Sequence, residues 1–367
     1  MALRWSAKYL YPFSIDISRL WREDTDKQKI SRIHTASVPL DKKQIQRVTK
    51  IGLPTVLAIV IAYFLLKEID IQEIPKTLSR LSLKALLIGF GCYGVLVLAK
   101  ALRFRALLNL DSGVHKVFPI LAMHTFWGNI LPMRTGDVSY VYLMQRRQQV
   151  DATQGVASLL VASLIDLVLL MGLVVATAWH LRAALRDTLS GTVLYLIPLL
   201  MGGGLVAAIV FVYAAPHACM RFAEGCAGPL LALEKSPVSW TVDKVLAVLR
   251  ELTAFRSNQR FLEVWVYSVL CLVIRFGFQC YLVAEMGVDI PMTEVLFALA
   301  FTNVFNLLPV QTVGNFGTTE FPFVWLLNHF GTSIEIATVT GFSLHILILI
   351  YCLPLGASGF LMKPKEQ

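Results

Sequence analysis

Six windows of this chain are apolar for long enough to cross a hydrocarbon core, and nothing else in it restricts the backbone as much. They cover residues 51–66, 85–102, 155–179, 189–215, 262–285 and 334–361. A crossing takes about twenty apolar residues, so 51–66 needs its flanks. Lipid offers no partner to a bare peptide group, so a crossing segment must satisfy its own backbone. Two further apolar stretches, 117–131 and 295–308, are too short to cross and run into Pro132 and Pro309. That length fits a re-entrant segment or half-helix. The chain is 56% hydrophobic and 16% charged, against about 45–50% and about 25% in a soluble domain. The expected fold class is an all-α polytopic membrane protein with about six to eight transmembrane helices and two re-entrant or broken helical hairpins.

Two stretches look like copies of each other. The first runs Leu102-Arg103-Phe104, then Gly128-Asn129-Ile130-Leu131-Pro132, then Arg134-Thr135-Gly136-Asp137. The second runs Ile274-Arg275-Phe276, then Phe305-Asn306-Leu307-Leu308-Pro309, then Gly314-Asn315-Phe316-Gly317, with Thr318, Thr319 and Glu320 following. The spacings differ, 29 residues from Arg103 to Pro132 and 34 from Arg275 to Pro309. Repeat one is expected over about 84–180 and repeat two over about 262–361, within a membrane domain 51–361.

Basic residues orient the chain. With the N-terminus cytoplasmic, 25 of the 33 Lys and Arg fall in inner segments and 6 in outer ones, while Lys100 and Arg275 stay inside apolar windows. That is the positive-inside pattern. It predicts a multi-pass protein of a bacterial-type cytoplasmic (inner) membrane with both termini cytoplasmic. It also turns the second copy over relative to the first, so that the two dipping segments enter from opposite faces. Inverted repeats with broken helices meeting inside the bilayer are the plan of many transporters. The formal charge of +9 then speaks of topology and anionic lipid, and nucleic acid is not expected as a partner. The six cysteines show no CxxC or metal-ligand spacing and read as small core residues. No apolar h-region of a secretory signal peptide precedes the first window.

Residues 1–50 mix aromatics (Trp5, Tyr9, Trp21) with basic residues (Arg19, Arg22), which suits a segment lying on the inner leaflet. Residues 216–261 form a connector in which Val242, Val245, Leu246 and Leu249 recur at helical spacing. It is either an interfacial amphipathic helix or a packed cytosolic connector.

Few residues are placed to carry chemistry. An ionisable side chain inside a bilayer costs on the order of 2.5–3.5 kcal/mol on insertion scales, so each needs a partner or a purpose. Arg275 falls halfway along its helix, too deep to reach the interface easily. Arg103 either marks a cytoplasmic helix end or, through its match to Arg275, shares a binding role. Arg134 follows the Pro132 break, and Gly136 and Asp137 open the next helical run. Unpaired N–H groups at a positive helix end, beside a guanidinium, suit a phosphate; the alternative is that Asp137 only caps the helix. In the second copy Gly314 and Gly317 bracket a break and Pro322 sits in a first turn. Glu320 is either a cap-region acid or a buried carboxylate that takes a proton or a coupling cation. Asn129 and Asn306 suit freed backbone groups or a ligand's hydroxyls. Asp166, in mid-helix, is expected to pair with an arginine of the first copy. His124 and His345 lack partners at metal spacing and read as satisfied core histidines. No metal or cofactor is expected, and no P-loop, nucleophile elbow or HExxH occurs.

The run from Trp127 to Asp137 with the helix Gly155 to Asp166, and Asn306-Leu-Leu-Pro309 with Gly314 to Glu320, resembles the lysylphosphatidylglycerol synthase transmembrane (flippase-like) family. The resemblance covers about residues 51–361. It implies a polytopic helical fold and, as in relatives, movement of phospholipids or polyprenyl-phosphate-linked sugars between leaflets. It also implies relation to the membrane half of the bacterial multiple peptide resistance factor. Those proteins carry a soluble aminoacyl-transferase domain after the membrane part; here the chain ends at Gln367, so lysyl transfer is expected to be absent. The sequence thus predicts a lipid flippase or scramblase, not an enzyme, whose partners are anionic phospholipids or polyprenyl-phosphate lipids. Self-association into a homo-oligomer is compatible with it. Two alternatives stand: a membrane-embedded transferase using an acid–base pair such as Asp137 with His124, or a scaffold that docks a soluble partner through residues 1–50.

Overall fold

A computed structural model describes residues 72–131, 136–182, 260–305 and 313–361, with isolated positions between 196 and 225. All lie in the unit Lys50–Gln367. The N-terminal segment 1–50, the windows 51–66 and 189–215 (isolated positions apart) and nearly all of the connector lie outside the described residues, as do Arg134 and Asn306.

The described residues are all helical or in turns. They comprise α1 (Glu73–Arg80), α2 (Leu83–Leu107), α3 (Val114–Ile130), α4 (Gly136–Gln148), α5 (Ala152–His180), α6 (Phe261–Glu285), α7 (Met292–Phe305), α8 (Glu320–His329) and α9 (Ile334–Leu361). A short 3-10 turn, Val313–Asn315, precedes α8. Four of these, α2, α5, α6 and α9, are 25–29 residues long and apolar enough to span a membrane. They coincide with four of the six windows; α9 has the bounds of its window, and α2, α5 and α6 extend theirs at one or both ends. At the start of α2, Ser82 accepts the Ala85 N–H at 3.1 Å and supplies the cap.

The two short stretches are helices α3 (17 residues) and α7 (14 residues), each followed by a break and a second short helix. The chain therefore repeats one plan. A long helix, a short one, a break, a short one and a long one occur as α2–α5 and again as α6–α9. Packing repeats with the units exchanged: α3 of the first lies against α9 of the second, and α7 of the second against α5 of the first. The equivalent helices α2 and α6 pack on each other most extensively of all, and they run antiparallel. Tyr93 of α2 meets Phe278 of α6 at 6.0 Å between ring centres. Ten residues later on α2, Arg103 Nη1 is 3.5 Å from Ser268 Oγ, ten residues earlier on α6.

The two Arg-Phe dipeptides fall at different places in their helices. Both α2 and α6 are 25 residues long, but Arg103 lies 20 residues past the start of α2 and Arg275 only 14 past the start of α6.

Small residues set the closest approaches, as in membrane helix packing generally. A Cβ on Gly356 of α9 would come within 2.6 Å of the Phe126 side chain, and one on Gly359 within 2.6 Å of the Pro119 carbonyl, both on α3. Gly136 opens α4 so tightly under α3 that a Cβ there would sit 2.5 Å from Gly128 N. Helix α1, which the window analysis misses because it is short and amphipathic, buries Ile74 against Val339 and Phe342 of α9.

Candidate functional site

The antiparallel crossing of α2 and α6 puts the polar stripe of α2 (Tyr93, Lys100, Arg103, at helical spacing) against Ser268, Arg275 and Gln279 of α6. A cavity of about 230 Å³ opens beside this crossing, walled by both four-helix units. Tyr93 and Lys100 of α2 and Thr125 and Asn129 of α3 come from the first unit. Arg275, Gln279, Thr302, Asn303, Asn315 and Glu320 come from the second, and α9 contributes His345.

Its charge is unbalanced. Lys100 and Arg275 both line it, and neither has a carboxylate within ion-pair distance among the described residues. Glu320, the carboxylate on the wall, is 1% exposed and already engaged. Its Oε2 accepts the Gly317 N–H at 2.7 Å and its Oε1 lies 2.5 Å from His345 Nδ1. The ring of Phe316 covers His345 at 4.6 Å between centres. Glu320 is thus a cap-region acid and a buried carboxylate at once, and His345 has a partner in the core, as the sequence suggests. The break it holds needs left-handed backbone at Gly314 (φ 63°), Asn315 (φ 59°) and Gly317 (φ 80°); glycine supplies two of these without strain.

The wall also carries polar groups in need of partners. Thr125 Oγ1, Gln279 Oε1, Thr302 Oγ1 and Asn315 Oδ1 are buried and bond to nothing. Buried polar atoms are ordinarily hydrogen-bonded, so such a cluster marks a place where something else supplies the bonds. The two asparagines near the breaks behave alike: Asn129 Nδ2 donates to the Thr125 carbonyl at 2.7 Å and Asn303 Nδ2 to the Leu299 carbonyl at 2.8 Å, each four residues back. Asn129 and Asn303 thus make the same bond near the ends of α3 and α7.

The residues singled out from sequence fall into three groups. Asn129, Arg275 and Glu320 meet at the cavity, and Gly314 and Gly317 shape its rim. Arg103 does not line it. Its guanidinium, 3% exposed, pairs through Nη1 with Asp166 of α5, the pairing expected of that aspartate. Gly136 and Asp137 sit at the α3–α4 break. There His124 Nδ1 is 3.2 Å from the Gly136 carbonyl, and Nε2 is 3.8 Å from Asp137 Oδ1. Sequence reasoning passed over Lys100, Asn303, Asn315, Gln279 and Thr302. For Lys100 the signal was present, since it shares with Arg275 the property of being a cation inside a spanning window. For the amides and threonines no local signal separates a cavity face from a packed one.

Among the described residues no group of three His, Cys, Asp or Glu side chains could hold a metal ion. The free cysteines Cys92, Cys271, Cys280 and Cys352 are scattered over three helices. Comparison with curated proteins gives no match, and neither does comparison with solved structures. The family described as the lysylphosphatidylglycerol synthase TM region matches residues 51–356. With four helices long and apolar enough to span a membrane and that match over most of its length, the chain is a multi-pass membrane protein belonging to the lysylphosphatidylglycerol synthase transmembrane family, a membrane domain related to lipid handling.

Proposed function

We propose that this protein moves an anionic lipid between leaflets, with the headgroup passing through the cavity between the two units. The observation that carries this is the pair Lys100 and Arg275, two cations inside spanning helices with no carboxylate within ion-pair distance among the described residues. Intramembrane charge of this kind is costly and marks substrate or ion pathways, and an anionic headgroup is the compensating partner. In this reading α3–α4 and α7–α8 are hairpins entering from opposite faces of an inner membrane, with both termini cytoplasmic. The antiparallel pairing of α2 and α6 supports such an inverted repeat. Arg134, between α3 and α4 in the sequence, is assigned the first contact with the phosphate, and Glu320 with His345 is the group through which a proton couples to movement. The hydrocarbon tails stay in lipid.

The transferase alternative draws less support. Its candidate acid–base pair, Asp137 and His124, is separated by 3.8 Å, and Asp137 is 44% exposed. The test of the transport reading is leaflet exchange of labelled lipids in proteoliposomes. Exchange of an anionic lipid by the wild type, lost at least tenfold in Lys100→Ala and in Arg275→Ala, is the expected result. Exchange untouched by both substitutions refutes the role given to the cavity.

A further inference from the structure

Lys100 and Arg275 account for an anion in the cavity, but not for the oxygens on its wall. We infer that the cavity also binds a monovalent cation, Na⁺ in the first instance, held by the Glu320 carboxylate together with neutral side-chain oxygens.

The orphaned wall atoms give the first argument. Thr125 Oγ1, Gln279 Oε1, Thr302 Oγ1 and Asn315 Oδ1 are buried, bond to nothing among the described residues, and belong to residues that line this one cavity. Thr125, Gln279 and Thr302 are 8%, 9% and 2% exposed. They come from α3, α6, α7 and the Val313–Asn315 turn, so no fault in the packing of one element explains them together. Every orphan is an oxygen. The amide nitrogens nearby are spent on backbone carbonyls, Asn129 Nδ2 on that of Thr125 and Asn303 Nδ2 on that of Leu299. Uncharged oxygens gathered around a carboxylate are the ligands of a hard cation.

Charge gives the second. A carboxylate oxygen has two lone pairs; Glu320 Oε2 has given one to the Gly317 N–H and Oε1 one to His345 Nδ1. One remains on each, and with His345 neutral the carboxylate keeps its full charge. A single carboxylate sets the valence: ligand charge tunes cation affinity, and among the described residues no three His, Cys, Asp or Glu side chains group to hold a more highly charged ion. Lys100 and Arg275 oppose the cation. They act on each other near the α2–α6 crossing, with Arg103 and Asp166 close by, whereas Glu320 and His345 belong to α8 and α9. An anion held by Lys100 and Arg275 cancels that opposition, so cation and anion each favour the other's binding. This coupling rests on the translocation reading above; the oxygen site does not. The cation and the proton assigned to Glu320 compete for one carboxylate.

Equilibrium binding of radiolabelled Na⁺ to full-length protein in phosphatidylcholine nanodiscs, with choline chloride holding the ionic strength, tests the site. Saturable binding that unlabelled Na⁺ displaces and choline does not is expected. Thr302→Val and Gln279→Leu, each removing one orphaned oxygen, should weaken it at least tenfold, a loss of about 1.4 kcal/mol or more. Lys100→Met, which leaves all the oxygens and removes an opposing charge, should tighten it, an effect that mere damage to the fold does not produce. Absence of saturable binding in the wild type overturns the inference and leaves the oxygens to water. Binding that both oxygen variants leave unchanged, or that Lys100→Met weakens, overturns this location, and the wild type with Lys100→Met decides the matter even if an oxygen variant fails to fold. Tighter binding of Ca²⁺ than of Na⁺ overturns the assigned valence. Leaflet exchange of a labelled anionic lipid, run in Na⁺ and in choline, separates the two levels. Na⁺ binding without exchange of any lipid refutes translocation and keeps the site; equal exchange in both media with no Na⁺ bound does the reverse.

Discussion

Removing Asp166 is expected to destabilise the protein, while removing Arg103 together with it is not. The Arg103 side chain is 4% exposed, its Nε has no partner among the described residues, and beyond Asp166 its Nη1 donates to Ser268 Oγ at 3.5 Å. Taking one member from a buried ion pair costs roughly 3–5 kcal/mol, because the other charge is left uncompensated. The Asp166 side chain is one-third exposed, so the lower end applies and Asp166→Ala should lose about 3 kcal/mol. Replacing both by leucine removes the desolvated charges altogether and should fall within about 1 kcal/mol of wild type or above it. With Asp166→Leu and Arg103→Leu as the single corners, the coupling in the double-mutant cycle is then at least about 2 kcal/mol. Equilibrium unfolding in detergent micelles, followed by tryptophan fluorescence, measures all four corners of the cycle. If Asp166→Ala is as stable as wild type, or the double variant is as weak as the single, the pair is not the internal structural clamp described above. The double variant should also retain leaflet exchange in proteoliposomes, since neither residue lines the cavity.

Glu320→Gln should keep the fold but loosen the 313–319 break. Amide exchange at Gly317 should rise at least tenfold, and stability should fall by about 1–3 kcal/mol as two buried hydrogen bonds weaken; unchanged protection of Gly317 would contradict the role given to the carboxylate. Gly359→Ala forces a Cβ against the Pro119 carbonyl and the Met123 side chain and should cost about 1–3 kcal/mol. Gly94→Ala, where nothing lies within 4 Å, should not destabilise; equal losses at the two sites would show that α3 and α9 are not packed as described. Gly136→Ala meets the Gly128 backbone at 2.5–2.6 Å and should splay the α3–α4 break, which a cysteine pair across it would report as slower crosslinking.

Some of this was written in the sequence, for a reason that is simple to state. Lipid demands helices of about twenty apolar residues and charges partners for every buried ion. The spans α2, α5, α6 and α9, the short helices α3 and α7 and the Arg103–Asp166 pairing are therefore all visible in one dimension. The order of helices, long, short, short and long, occurs twice along the chain. Which residues meet was decided by the tertiary structure. Lys100 and Arg103 stand one turn apart on the same stripe of α2, and only the antiparallel register with α6 sends one to the cavity and the other to Asp166. Glu320 and His345 are 25 residues apart and become a pair because α8 packs along α9. A motif match aligns a few letters and therefore paired Arg103 with Arg275, positions that the helices hold in different registers.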